Sequence, residues 1–167
     1  MPTAWLTRCL HPLLLAASLL LSACATQLAP AYEPAVVSGL ERNSIATLTL
    51  LASLAGGTQA ADFSQREAAY AQRIGELDAL ALQAGARPEP SGPLQAKLKD
   101  WLQAKGMSEP DARLPSVHAL QRVSATLAKL RDTDRKQGLS AVEVQAFRGQ
   151  VLIYLDQALS YEYFLAR

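Results

Sequence analysis

Residues 135–144 read Arg-Lys-Gln-Gly-Leu-Ser-Ala-Val-Glu-Val, and this stretch predicts a tight joint between two helices. Gly138 is the residue type that most often follows the end of a helix. Ser140 and Glu143 have the spacing of a capping box, which begins a new helix. Because so short a connection favours antiparallel neighbours, we expect the helices on either side to form a hairpin.

The sequence on both sides of this joint has a helical pattern. Apolar residues recur every three or four positions over about 115–137 and from 140 almost to 167, which is the spacing of a buried helix face. Upstream, similar stripes predict a helix over about 34–55 and a second one over about 64–87, capped by Ser64 and Glu67, with Asp62 as the alternative cap. No segment alternates apolar and polar residues, so no strand is expected.

A shorter helix is predicted between Pro93 and Gly106, after a run rich in proline and glycine at 87–93. The fold predicted from these patterns is all-α. It is an up-down bundle of four long helices, with the short helix packed across an end or a side. We assign residues 35–167 to this single helical-bundle domain.

The N-terminal segment has a different character. Arg8 is followed by an apolar run at 13–21, which is too short to span a membrane and is typical of a signal peptide. The run ends in Leu21-Ser22-Ala23-Cys24, which resembles the lipobox of bacterial lipoproteins.

This resemblance implies that residues 1–23 are a cleaved signal peptide and that Cys24 is the site of lipidation. Residues 24–34 then form the lipidated cysteine and a tether, whose ten residues after Cys24 reach at most about 35 Å. Ala25 stands where an aspartate would retain a lipoprotein in the inner membrane. The resemblance therefore implies an outer-membrane protein that is held by its lipid on the periplasmic face.

The charge balance argues against a nucleic-acid partner. The chain has 16 Lys and Arg residues and 15 Asp and Glu residues. Only Arg8 is lost with the predicted signal peptide, so the remaining chain is neutral and lacks the excess of basic residues that nucleic-acid binding requires. Cys9 is also lost, which leaves Cys24 without a second cysteine for a disulfide bond.

Two patterns with some likeness to a metal site are better explained by helix structure. His118 is the only histidine after the predicted leader and has no acidic residue three or four positions before it. Residues 132–143 partly match a calcium-binding EF-hand loop, but Lys136 stands at a ligand position and Gln137 where glycine is needed. We therefore predict no metal, no cofactor and no catalytic residue.

The candidate partner surface consists of aromatic residues. Tyr163 and Phe164 lie partly off the apolar stripe of the last helix, and Trp101 lies on the short helix. We predict a non-enzymatic, lipid-anchored envelope protein that binds a periplasmic or outer-membrane protein, either as an assembly module or by neutralising a toxin. One alternative is a bundle that binds a small apolar ligand beside small core residues; a less favoured one is a cell-wall enzyme using scattered carboxylates. The small residues in question are Ala46, Ala52, Ala81 and Ala128.

Overall fold

The computed structural model describes residues 30–88, Asp100 and residues 114–167. These residues form four long helices, α1 (Pro34–Ser53), α2 (Glu67–Gly85), α3 (Pro115–Gln137) and α4 (Ala141–Leu165), together with a 3-10 helix at Ala60–Gln65. The described part contains no strand, and the predicted all-α bundle of four long helices is confirmed.

The four helices form an up-down bundle. Contacts run from α1 to α2, from α2 to α3, from α3 to α4, and from α4 back to α1. Arg87, just after α2, bonds to Ser116 at the start of α3 and to Glu162 near the end of α4. We call this the entry end, because α1 also begins there. The opposite end, where α3 turns into α4, is the hairpin end.

Leucines and other apolar side chains from all four helices fill the interior. Leu51, Leu77, Leu127 and Leu155 are buried, one from each helix. Because these residues recur at three- and four-residue spacing, each helix keeps one face inside over its whole length. Burial of these faces accounts for the bundle better than helix propensity does, since β-branched residues such as Thr47 also lie in the buried part of α1.

The hairpin end is closed by two loops that approach backbone to backbone. Thr58 donates its N–H to the carbonyl of Leu139 at 2.8 Å, and the Leu139 N–H returns a bond to Thr58. Gly57 and Gly138 have φ values of 89° and 78°, a region that favours glycine. A Cβ on Gly138 would stand 2.5 Å from the carbonyl oxygen of Thr58. Glycine is therefore required there by conformation and by space.

Local signals placed most helix ends correctly. Ser140 accepts a hydrogen bond from the Glu143 N–H, and the Glu143 side chain accepts one from the Ser140 N–H, so the predicted capping box is confirmed. Pro34 and Pro115 open their helices at the first turn, where proline is well tolerated.

The predicted cap of α2 at Ser64 is wrong. Ser64 lies inside the 3-10 helix, α2 begins at Glu67, and its N-cap residue Arg66 makes no side-chain capping bond. The 3-10 turn brings Phe63 into the core, where its ring stacks on that of Tyr70 with centroids 6.2 Å apart. Tertiary packing therefore overrides the local capping signal at this position.

Three of the predicted features concern residues that the structure does not describe. The lipobox with Cys24, most of the tether and the short helix with Trp101 lie outside the described residues. Within the described part, none of the helices combines the length and the apolar character that crossing a membrane requires.

Candidate interaction surface

The predicted surface residues that the structure describes lie near the C-terminal end of α4. Tyr163 and Phe164 are both exposed, and as consecutive residues of a helix they point about 100° apart. Tyr163 turns toward α1, where its hydroxyl donates a 2.7 Å hydrogen bond to Glu41. This bond and the nearby charge raise the pKa of Tyr163. Phe164 faces away from the bundle, so the two residues do not form one patch.

Phe164 instead belongs to a line of residues along the outside of α4. Val142, Ile153 and Phe164 are exposed to 79%, 58% and 64%, and they follow one another at intervals of 11 residues. Eleven residues make slightly more than three whole turns, so the three side chains stand on one side of a straight helix. We define the outer α4 face as these residues and the ones between them on the same side: Val142, Ala146, Gly149, Ile153, Gln157, Ser160 and Phe164.

The outer α4 face is uncharged over its whole length of about 33 Å, at 1.5 Å per residue. Three of its residues are small, and a Cβ on Gly149 would meet nothing within 4 Å. Large side chains alternating with small ones give a helix knobs and the spaces between them. Gln157 and Ser160 lie between Ile153 and Phe164, so the face is a line of separate exposed apolar side chains. Exposed apolar residues that recur along one side of a helix often mark an interaction site, whereas the exposed Ile45 and Leu82 stand singly on α1 and α2.

The strongest polar cluster lies at the hairpin end, around the buried carboxylate of Asp134. Arg66 donates two hydrogen bonds of 2.9 Å to it, and Thr58 and Tyr70 donate one each, at 2.5 and 3.1 Å. Arg66 also donates to the carbonyl of Gln59. The cluster therefore joins the first loop, the start of α2 and the end of α3.

The electrostatics of this cluster suit a structural role. Burial raises the pKa of Asp134, but the hydrogen bonds from Arg66 and Thr58 and the positive charge of Arg66 outweigh it, so the net pKa is lowered. Burial beside that carboxylate raises the pKa of Tyr70 well above its usual value. A carboxylate held ionised with its oxygens already bonded is a poor proton donor and a poor metal ligand.

A second buried ion pair lies at the entry end. Arg87 donates two hydrogen bonds to the carboxylate of Glu162, at 2.9 and 2.6 Å, and both side chains are almost fully buried. Arg87 also donates to the carbonyl of Ala84 and to the hydroxyl of Ser116. This pair ties α2, α3 and α4 together, as the Asp134 cluster does at the other end.

The EF-hand-like stretch does not form a cation site in the described structure. Asp134 is occupied by Arg66, Asp132 pairs with Arg131, and Glu143 caps α4. His118 is exposed in the first turn of α3. Among residues 30–88 and 114–167, no group of three His, Cys, Asp or Glu residues is placed to hold a metal ion.

Two pockets open on the surface of the described part. One, of about 340 Å³, lies beside Thr58 and Arg66 at the hairpin end. The other is a shallow groove of about 780 Å³ between α3 and α4, and both Asp132 and Glu143 line it. Hydrogen bonds from the Ser140 backbone and side chain lower the pKa of Glu143, whereas a general acid needs a raised one. Glu143 is therefore unsuited to act as a general acid in this groove.

The chain matches no family model, no curated protein and no solved structure.

Proposed function

We propose that this protein is a non-enzymatic, lipid-anchored module of a bacterial envelope, whose helical bundle binds another polypeptide through the outer α4 face. In this proposal Cys24 carries the lipid, and the bundle lies on the periplasmic side of the outer membrane. The observation that carries the proposal is the exposed, uncharged face of α4, with Val142, Ile153 and Phe164 on one line.

The composition of this face favours a polypeptide over a lipid surface as the occupant. Helices that bind bilayers usually flank their apolar face with lysine and arginine, which attract anionic lipids. The outer α4 face has no basic residue, and the small Ala146 and Gly149 lie between its larger side chains. Small residues allow the backbone of another helix to come close, which a bilayer does not require.

The buried ion pairs of the bundle also support a binding role, because they hold the helices in fixed positions. Asp134 and Glu162 each cross-link separate elements, one at each end of the bundle. Buried and fully bonded polar groups of this kind hold helices in one arrangement. A fixed α4 presents its outer face already ordered, which reduces the entropy lost on binding.

The test is photo-crosslinking in intact cells. A photoreactive phenylalanine analogue replaces Ile153 in the full chain, and the same analogue replaces Leu82 as the control, since Leu82 is an apolar residue on α2 that is even more exposed, at 76% against 58%. We expect irradiation to give one adduct of discrete mass from position 153 and at least tenfold less from position 82. Equal yields at both positions, or no adduct at 153, would contradict the proposed function.

A further inference from the structure

We propose that α1 opens as one unit from the rest of the bundle and acts as a strap between the N-terminal segment and the other three helices. The strap is α1 (Pro34–Ser53), and we call α2, α3 and α4 together the three-helix platform. This opening goes beyond the proposed function, because α4 stays in the platform and presents its outer face whether the strap is closed or open. Three features support it: the buried ion pairs, the unpartnered polar atoms, and the way in which the chain joins α1 to the platform.

The buried ion pairs hold the three-helix platform together and leave α1 out. Arg87 and Glu162 connect α2, α3 and α4 at the entry end, and Asp134 connects α2 to α3 at the hairpin end. Neither cluster contains a residue of α1. Glu41 of α1 does bond to Tyr163 of α4, but at the surface, where a hydrogen bond adds little because water can replace either partner. The buried polar contacts therefore stabilise the platform and not the strap.

Polar atoms without a partner lie on the inward side of α1. Ser44 and Thr47 are 8% and 0% exposed, and neither hydroxyl makes a hydrogen bond; the side-chain oxygen of Asn43 is also buried and unbonded. Thr49 and Ser53 of the same helix donate their hydroxyls to backbone carbonyls. In the described part of the chain, all the buried side-chain atoms that lack a partner belong to α1. Such atoms regain hydrogen bonds in water, so they favour the opening of α1.

The chain joins α1 to the platform through a single loop. Among the described helices, α1 packs against α2 and α4, whereas α3 packs against both of those helices and not against α1. Removing α1 therefore leaves the contacts of α3 in place. The loop after α1 contains Gly56 and Gly57, and Thr58 directly after it is bonded to Leu139 and Asp134. Opening requires rotations at the two glycines, the residue type with the widest range of backbone conformations.

Apolar burial keeps the strap closed most of the time. Val36, Leu40 and Leu51 are fully buried, and their exposure to water opposes opening. The open form is thus a minor state of the protein. Segments of a folded protein open at free energies between zero and that of global unfolding, and segments with fewer buried contacts open more readily. On both grounds α1 is the helix that opens first.

An open strap extends the reach of the platform from the membrane. This consequence rests on the proposed function, in which Cys24 carries the lipid. The tether before α1 reaches at most about 35 Å, and the 20 residues of α1 are about 30 Å long as a helix. With the strap open, the near end of the platform lies up to about 65 Å from the anchor. The outer α4 face then meets polypeptides that lie farther from the membrane.

Amide hydrogen exchange of the full chain, purified in detergent and followed by mass spectrometry, tests the opening of α1. After correction for intrinsic exchange rates, we expect peptides within residues 40–50 to exchange together, and at least tenfold faster than peptides within residues 120–130 of α3 and 151–158 of α4. The first turns of α1 are left out because helix ends fray. Equal protection of the three ranges, or fast exchange confined to residues before 40, would overturn the proposal.

Tyr70→Phe distinguishes the opening of α1 alone from unfolding of the whole chain. The substitution removes a hydrogen bond to Asp134, which is present with the strap closed or open and is lost on global unfolding. We expect it to speed exchange in the ranges of α3 and α4 severalfold and to leave residues 40–50 unchanged. Equal acceleration of all three ranges would mean that α1 opens only with the whole chain, which contradicts the strap.

Thr47→Val tests the part played by the unpartnered hydroxyls. It keeps the branched shape of the side chain and replaces the buried Oγ1 with a methyl group, so exchange of residues 40–50 should slow at least threefold. The matched control is Thr49→Val, which removes an exposed hydroxyl that bonds to the Ile45 carbonyl and should not slow exchange. If Thr47→Val has no larger effect than Thr49→Val, the buried polar atoms do not favour opening and the proposal is wrong.

Hydrogen exchange and photo-crosslinking together separate the strap from the proposed function. If α1 exchanges as slowly as α3 while the photoreactive group at 153 captures a partner, the strap is wrong and the interaction module stands. If residues 40–50 exchange at least tenfold faster than α3 and no adduct forms at 153, the strap stands and the proposed function is wrong.

Discussion

Replacing Glu162 with alanine is expected to lower the free energy of unfolding by about 3–5 kcal/mol, the usual cost of breaking a buried ion pair. The loss is large because Arg87 stays buried with its charge uncompensated, at 4% side-chain exposure. Urea unfolding of a chain that begins at residue 25, followed by circular dichroism, measures the change. The matched control is Glu67→Ala, which removes the partner of Arg135 from an exposed pair and should cost less than about 1 kcal/mol.

A double substitution distinguishes the contribution of the ion pair to stability from that of the packing around it. Arg87→Met together with Glu162→Leu replaces both charges with apolar side chains, and such replacements are often neutral or stabilising. We therefore expect the double variant to be more stable than Glu162→Ala alone. If Glu162→Ala costs no more than Glu67→Ala, the buried pair does not stabilise the entry end as described.

Replacing Gly138 with alanine is expected to cost about 2–6 kcal/mol, from backbone strain and overpacking together. Gly138 has φ 78° and ψ −176°, a region used almost only by glycine, and forcing another residue into it costs about 1–3 kcal/mol. The new Cβ would also meet the backbone at Thr58 O and at Ala60 N, 2.5 and 3.1 Å away. Because these atoms are backbone, the whole loop must move, and overpacking of this kind adds about 1–3 kcal/mol.

The control for this substitution is Gly75→Ala in the same chain. Gly75 lies inside α2, and a Cβ there would meet nothing within 4 Å. Alanine is the better helix former by about 0.5–1 kcal/mol, so this variant should be more stable than the parent. Thermal or urea unfolding of the two variants should therefore shift in opposite directions. A neutral Gly138→Ala would show that the two loops do not meet as closely as described.

The sequence predicts the helices well because the signals are local. Apolar spacing identifies the buried faces, and the Ser140–Glu143 capping box and Gly138 fix the hairpin to within a residue. The failure at Ser64 has a tertiary cause: Phe63 is buried and Arg66 pairs with Asp134, and both contacts extend the 3-10 turn at the expense of the predicted cap.

The sequence indicates that Asp134 and Glu162 are buried, but it does not indicate which residues they pair with. Asp134 follows Leu127 and Leu130 in the register of the buried face of α3, and Glu162 follows Leu155 and Ala158 in that of α4. Acidic residues at such positions predict a buried, paired carboxylate. Their partners lie 68 and 75 positions earlier in the chain, and no local pattern relates residues that far apart.

The sequence alone does not identify the outer α4 face, because α4 has apolar residues on several sides. Phe164 could be singled out from the sequence, whereas Val142 and Ile153 could not, because many residues of this helix suit a core equally well. The 11-residue spacing became meaningful once the structure showed that Val144, Val151 and Leu155 face inward. The outward side then follows from the period of the helix.

The claim on which the proposed location depends is that Cys24 is the lipidated N-terminus. Mass spectrometry of the tryptic peptide that ends at Arg42, from protein purified out of bacterial membranes, tests it directly. We predict a peptide that begins at Cys24 and carries the added mass of three acyl chains. A peptide that runs from Cys9 to Arg42 with an unmodified Cys24 would contradict the account.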